Sequence, residues 1–299
     1  MAIRTVRVRV PATSANLGPG FDALGMALDL WLESEVRLAP SDGFEGRGEA
    51  AELTAPGANL IHEAADAVYA EIGRPRPPWL VTCTSEIPLA RGLGSSAAAI
   101  CTGILAADAL TGAGLSPTQH LAIASKIEGH PDNVAAALMG GLTVAVGSDG
   151  QACNLALPSD LALDLRLVLA IPRFRLATAE ARAVLPERIC LQDAAYNVGR
   201  TALLVAALTS GHLHLLAEAL GDRLHQPYRE PLVPGMAAVV AAARAAGAYA
   251  VTLSGAGPAL LAWCPGPVGE AVRLAMQGAW GDLASVRVVE LSRTGAQVW

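Results

Sequence analysis

The chain has 299 residues, of which 53% are hydrophobic and only 16% charged, with a net charge of −6. At about 150 residues per domain, the length predicts two domains. High hydrophobicity excludes intrinsic disorder, and a negative balance excludes a general nucleic-acid binder, whose phosphate contacts need a basic surface.

Five cysteines (Cys83, Cys101, Cys153, Cys190 and Cys264) are scattered, with no CxxC pair among them. Neither a disulfide framework nor a structural zinc site is indicated, so a reduced cytoplasm is the expected compartment. Residues 3–10 alternate apolar side chains with arginine or threonine. That spacing predicts a strand with one buried face, and it is not the apolar core of a signal peptide. A dense loop is expected over 11–20, and a polar, glycine-punctuated turn over 43–48. Apolar side chains at Ile61, Ala64, Ala65, Val68 and Ile72 predict a helix over 61–72.

A strand is expected over 79–83, then a loop over 86–96 opening onto a helix over 97–110. That helix is apolar all round, and such a helix belongs in the interior. A second helix ends near Glu128, a loop carries Gly129-His130-Pro131-Asp132-Asn133, and another apolar helix follows. Gly140-Gly141 leads into a strand over 142–146. The stretch 147–160 is the expected domain border, giving domains of 1–158 and 159–299. Beyond it come an apolar strand over 161–171, helices around 190–222 and 235–246, and strands over 249–253 and 259–264. The last two lie in the longest uncharged stretch, which Gly247, Gly255, Gly257, Pro258 and Pro265 break too often for a membrane span. The mixture indicates an α+β fold.

The most informative segment is Pro88-Leu89-Ala90-Arg91-Gly92-Leu93-Gly94-Ser95-Ser96-Ala97-Ala98. Paired glycines let backbone N–H groups approach a ligand, and the first N–H groups of the helix lack internal partners. The helix dipole adds positive character there, so the segment suits a phosphate. A glycine turn with a serine cap is the bland alternative. A Walker A loop is excluded because no lysine follows the glycines. A dinucleotide fingerprint is matched in letters by Gly92, Gly94 and Ala97, but residues 112–118 lack the acid that motif requires.

This segment resembles the ATP-phosphate loop of the GHMP small-molecule kinases. Two further motifs of that superfamily stand in order: Pro11-Ala12-Thr13-Ser14-Ala15-Asn16-Leu17-Gly18-Pro19-Gly20-Phe21-Asp22 near the start, and Ser254-Gly255-Ala256-Gly257-Pro258 near the end. The first of these, with 128–133, 178–182 and 225–229, resembles the homoserine kinase branch. The resemblance implies a two-domain α+β fold with the site between the halves, usually as a homodimer. It also implies ATP-dependent, Mg²⁺-assisted phosphorylation of the L-homoserine hydroxyl, on the route to threonine. No nucleic-acid or membrane partner is expected. The alternatives are a related kinase acting on mevalonate, a phosphorylated relative or a sugar, a nicotinamide oxidoreductase, and a nucleotide-binding regulator with a dead site.

Carried onto this sequence, the resemblance implies residue roles. Pro88, Arg91, Gly92, Leu93, Gly94, Ser95, Ser96, Ala97 and Ala98 form the ATP-phosphate loop, with Asn59 on the adenine side. The Ser96 hydroxyl and the Glu128 carboxylate suit Mg²⁺, which prefers oxygen ligands. Arg182 and Arg229 form a clamp for the substrate carboxylate, since a guanidinium binds both oxygens at once. Asn16, Asp22 and Asn133 are the expected catalytic set and, with Asp132, Thr178 and Gly255, contact the substrate. Each has a plainer reading beside it: Ser96 and Asp22 as helix caps, Glu128 and the arginines as solvated charges, His130 as a loop buttress. Related kinases carry an aspartate as base where this chain has Asn133, and an amide is no proton acceptor. The expected mechanism therefore rests on alignment and charge neutralisation, with Asp132 as the rival base.

Overall fold

The alternation near the start becomes β1 (Thr5–Ala15), with Val6, Val8 and Val10 buried and Thr5 and Arg7 exposed. The computed structural model describes residues 5–54, 59–147, 149–159 and 161–299; Ile3 and Arg4 of the expected strand, like Ser148 and Asp160 of the expected border, lie outside them. The loop expected from residue 11 begins only at Asn16, because β1 continues past Pro11. A register shift between Pro11 and Ala12 accommodates the proline, which bulges tolerate. β2 (Leu24–Leu38) runs antiparallel to β1, pairing Val10 with Leu32.

β3 (Gly43–Gly48), expected as a turn, is an edge strand parallel to β4 (Trp79–Ser85). Glycines and charges that would weaken a central strand are tolerated at an edge. β5 (Leu142–Val146) pairs with β2, and β6 (Gln151–Asn154) pairs with β5 inside the expected domain border.

On this sheet sit α1 (Leu60–Glu71), α2 (Ser95–Thr111), α3 (Pro117–Glu128) and α4 (Asp132–Met139). The Asn59 side chain caps α1, and Ser116 with Gln119 forms a capping box on α3. α2 and α4 pack on β1 and β2, while α1 and α3 flank α2. Residues 97–104 of α2 are all buried, as an all-apolar helix requires. A Cβ at Gly103 would stand 2.1 Å from the Ile61 carbonyl oxygen, so α1 crosses directly on the α2 backbone.

The second half opens with one helical turn, α5 (Leu161–Asp164), where an unbroken strand was expected; the Leu161 N–H bonds back to the Pro158 carbonyl. β7 (Leu165–Pro172) follows, then α6 (Thr178–Ala183), α7 (Leu191–Ser210), α8 (Leu216–Ala219), α9 (Gln226–Arg229) and α10 (Met236–Ala245). β8 (Ala250–Leu253), β9 (Leu260–Pro265), α11 (Gly269–Trp280), β10 (Ala284–Val289) and β11 (Gln297–Val298) complete the order. The antiparallel sheet β10-β7-β9-β8 is covered by α10 and α11, burying Val168, Leu260, Val272, Met276 and Trp280. β11 returns to the first sheet, whose order is β11-β1-β2-β4-β3. There Val298 pairs with Val8, and Trp299 exchanges both backbone bonds with Arg7 at 3.0 Å. The architecture is the α+β arrangement expected. Among the described residues no helix is long and apolar enough to cross a membrane.

Candidate active site

The segment leaving β4 folds into a loop with Ala90, Gly92 and Gly94 all at positive φ. Two of these positions demand glycine by space as well as conformation. A Cβ at Gly92 would lie 2.1 Å from the Ser254 carbonyl oxygen, and one at Gly94 would lie 1.9 Å from Thr13 Oγ1. The loop is stitched down from several sides. Thr13 N–H donates to the Leu93 carbonyl at 3.0 Å, and Ser254 Oγ donates to the Gly92 carbonyl at 2.7 Å.

Gly94 caps α2 with no side-chain hydrogen bond, and the first bond of the helix runs from Ala98 N–H to the Gly94 carbonyl. The N–H groups of Ser95, Ser96 and Ala97 therefore have no acceptor within the helix. The bland serine-cap reading does not describe this turn. It is a half-buried helix start with open donors, an arrangement suited to phosphate.

Gly92, Leu93, Gly94, Ser95 and Ser96 form one wall of a cleft of about 550 Å³. Asn16, Asp22, Glu128, Asp132, Asn133, Thr178, Arg182, Arg229 and Gly255 line the same cleft. The turn at Gly129 (φ 87°) brings this about locally, setting the end of α3 beside the start of α4. Ser96 Oγ donates to Glu128 Oε1 at 2.7 Å. Burial pushes the Glu128 carboxyl above its usual range, against the lowering effect of the Ser96 bond. A cation beside this half-buried carboxylate would favour its charged form.

Thr13 Oγ1 donates to Asn133 Oδ1 at 2.7 Å, which fixes the amide and turns its donor end toward Asp132. Asp132 Oδ1 receives the Asn133 N–H and sits 2.7 Å from His130 Nδ1. Burial works to lower the His130 pKa, but Asp132 and Glu128 outweigh it and raise it. Arg182 meets Asp22 with both arms, and that pairing raises its pKa. Arg229 is 1% exposed, and burial together with the nearby Arg182 lowers its pKa to about 10.

Some sequence-derived positions serve the site differently from what was expected. Both ends of the Asn16 amide are committed: Nδ2 donates to the Gly255 carbonyl at 2.9 Å, and Oδ1 accepts the Asp22 N–H at 3.0 Å. With φ at 67° it holds the Asp22 loop against the Gly255 loop. The Arg91 guanidinium is spent on the carbonyls of Leu89, Pro172 and Arg173, tying the loop to the end of β7. The Ala98 N–H closes the helix, and neither Pro88 nor Ala97 lines the cleft. Asn59 and Ala98 line an adjoining cavity of about 670 Å³ with Leu32, Cys83 and Ile87, and Ser95 and Ser96 border both spaces. The start of α2 thus stands between the polar cleft and an apolar chamber.

Family models agree with this geometry. The model for the GHMP kinase N-terminal domain matches residues 59–141, and the model for the GHMP kinase C-terminal domain matches residues 204–282. The homoserine kinase of Moorella thermoacetica is 49% identical over 264 residues, covering 87% of each chain. The chain belongs to the homoserine kinases of the GHMP superfamily. That of Nostoc punctiforme is 42% identical, covering 99% of this chain and 98% of its own. The crystal structure of homoserine kinase from Cytophaga hutchinsonii superposes with a TM-score of 0.87 at 28% identity, covering 100% of this chain and 98% of that one. A mevalonate diphosphate decarboxylase from Staphylococcus aureus shares the fold alone, with a TM-score of 0.73 at 16% identity over 99% of this chain and 98% of that one.

As a member of this kinase family, the chain also uses residues the sequence did not single out. Thr13 orients Asn133, and Leu176 and Ala256 line the cleft. Thr13 lay inside the first motif, where its hydroxyl was a signal. Leu32, Cys83 and Ile87 carried none, because an apolar side chain facing a chamber reads like one facing the core.

Proposed function

We infer that the chain transfers the γ-phosphoryl group of ATP to the side-chain hydroxyl of L-homoserine. One observation carries this reading: the open N-terminus of α2 lines a single cleft together with two arginines, Asp22 and Asn133. The donors of Ser95 and Ser96, which line the cleft, suit the phosphates, and the Asn59 chamber suits the nucleoside. Arg182 and Arg229 suit the carboxylate of the acceptor, while Asp22 and Asp132 suit its ammonium group.

Mg²⁺ fits the Ser96–Glu128 pair, two oxygen donors 2.7 Å apart that both line the cleft. Asp22, His130 and Asp132 also place one ligand atom each within 4.8 Å of one another. That set includes an imidazole, and Arg182 already occupies Asp22, so it suits this ion less well. When bound, the ion neutralises charge on the phosphates.

Asn133 donates from its fixed amide and takes no proton. The acceptor hydroxyl is held by Asn133 and the Asp22 loop and loses its proton late, to a phosphate oxygen. A loose phosphoryl-transfer transition state asks mainly for alignment and charge neutralisation.

The division into 1–158 and 159–299, with the tail crossing back to β1, belongs to this proposal. So do a homodimeric state and a cytoplasmic location, the latter supported by five free cysteines. A coupled ADP-release assay over L-homoserine, mevalonate, phosphomevalonate and galactose, with and without Mg²⁺, tests the reading. Turnover with L-homoserine that vanishes without Mg²⁺ is the expected result; turnover only with another acceptor overturns it.

A further inference from the structure

His225 has no exposed side-chain surface, and each of its ring nitrogens meets a partner of only one kind. Nε2 lies 2.7 Å from the Gly18 carbonyl oxygen, which can only accept. Nδ1 lies 3.2 Å from Arg229 Nη1, which can only donate. Together these contacts assign the ring as neutral, with its single proton on Nε2. A second proton on Nδ1 would point into a guanidinium.

The nearby Asp222, with Oδ2 3.4 Å from Nε2, does not require that second proton. Its carboxylate already accepts the Asn197 amide and the N–H groups of Leu224, His225 and Gln226. Burial and Arg229 both lower the ring's pKa, against the pull of Asp222 and Asp22.

Arg229 is correspondingly constrained. Its Nε donates to the Ala181 carbonyl at 3.0 Å, and Nη1 is shared between His225 and the Gly255 carbonyl. Among the described residues Nη2 has no hydrogen-bond partner, and Arg229 lines the cleft. Phe21 stacks on the His225 ring at 5.3 Å and lies 5.5 Å from both the Arg182 and Arg229 guanidinium carbons.

We propose that His225 is a positioning residue for acceptor recognition: as the neutral Nε2–H tautomer it fixes the Arg229 guanidinium so that the Nη2 arm meets the substrate carboxylate. This rests on reading Arg229 as a carboxylate partner. The ring links the Gly18 loop to that arginine, so the loop carrying Asp22 and the arm carrying Arg229 keep a fixed spacing.

His225→Phe keeps an aromatic ring against Phe21 but deletes both hydrogen bonds. His225→Asn deletes the ring and returns an acceptor near the Nδ1 position. For each variant, the KM for L-homoserine, the KM for ATP, and the competitive inhibition constant of 3-amino-1-propanol (the acceptor without its carboxylate) are measured. His225→Phe is expected to raise the homoserine KM about tenfold, the size of one charge-assisted hydrogen bond, and to leave the other two constants unchanged. His225→Asn recovers most of that loss. An unchanged homoserine KM in His225→Phe, or an equal rise in all three constants, overturns the proposal. Arg229→Ala separates the two layers: if it spares the homoserine KM, the carboxylate reading itself is wrong. ¹⁵N spectra of histidine-labelled enzyme, with His225→Phe assigning the signal, are expected to show the Nε2–H form; a protonated or Nδ1–H ring overturns the assignment.

Discussion

Arg182 closes on Asp22 with both arms of its guanidinium, Nη1 3.1 Å from Oδ2 and Nη2 2.6 Å from Oδ1. Each side chain is only about one-third exposed, at 36% and 34%, inside the cleft beside the start of α2. An amino acid brings the same two charges in one molecule. Under the proposed function, its carboxylate takes over Arg182 while its ammonium takes over Asp22, replacing an ion pair the protein already holds.

Removing either partner is therefore expected to weaken acceptor binding selectively. Arg182→Ala should raise the homoserine KM by about tenfold or more, the scale of a lost charge-assisted bond, and leave the ATP KM nearly unchanged. Because the lone Asp22 then sits unpaired, the Asp22→Asn/Arg182→Ala double variant should lose less than the two single losses combined. Steady-state kinetics of the four proteins check both statements. Equal damage to both KM values would assign the pair a purely structural role.

Gly94→Ala places a Cβ in the left-handed region and 1.9 Å from Thr13 Oγ1. The conformation alone costs about 1–2 kcal/mol, and the clash displaces the hydroxyl that orients Asn133. The expected outcome is a lower melting temperature, weaker binding of an ATP analogue by calorimetry, and loss of turnover. Tight analogue binding at wild-type affinity would contradict the phosphate role of this loop.

Ser96→Ala and Glu128→Gln should each raise the Mg²⁺ concentration needed for half-maximal activity. Glu128→Gln, which removes the charge, should have the larger effect. Titrating the metal at saturating ATP and homoserine separates this from a general loss of folding. An unchanged metal requirement would move the ion to other ligands.

Asp132→Asn keeps an acceptor near His130 while removing the carboxylate that bonds Asn133. If alignment supplies most of the acceleration, turnover should fall by no more than about 10²-fold. A loss of several orders of magnitude with substrate binding intact would make Asp132 the base.

Away from the site, the Arg76 guanidinium bonds both Asp42 oxygens and holds that carboxyl down to about 2, from an ordinary 3.8. The unfolded chain then takes up this proton more readily than the folded one. The stabilisation is complete above pH 3.8 and disappears as pH falls through about 2. Asp42 is 48% exposed, so solvent screening limits the effect to about 1 kcal/mol or less. Asp42→Asn should flatten the acid limb of a melting-temperature profile by that amount.

What could be read from the sequence was whatever repeats locally or stands in an ordered motif. The alternation of β1, the apolar run of β5 and the glycine pair before α2 all announced themselves within a few residues. β3 did not, because an edge strand with three glycines carries the composition of a turn. The Asp22–Arg182 pair spans 160 positions, so motif order could put both in the site but not against each other. The motif places Arg91 with the nucleotide because its neighbours form the glycine loop, whereas its side chain reaches carbonyls 81 and 82 residues away. Asn16 shows the same limit. Its place in the cleft was legible from the motif, but only the fold shows that the same amide also ties the Asp22 loop to the Gly255 loop.

The pairing of β11 with β1 has a consequence for how the molecule comes to be made. As the ribosome extends the chain from its amino end, β1 can join β2 early but must wait for β11 until the whole second sheet has been translated. One flank of β1 then stays unpaired through most of synthesis, which is when a nascent chain is most open to chaperones and to misjoining with its neighbours.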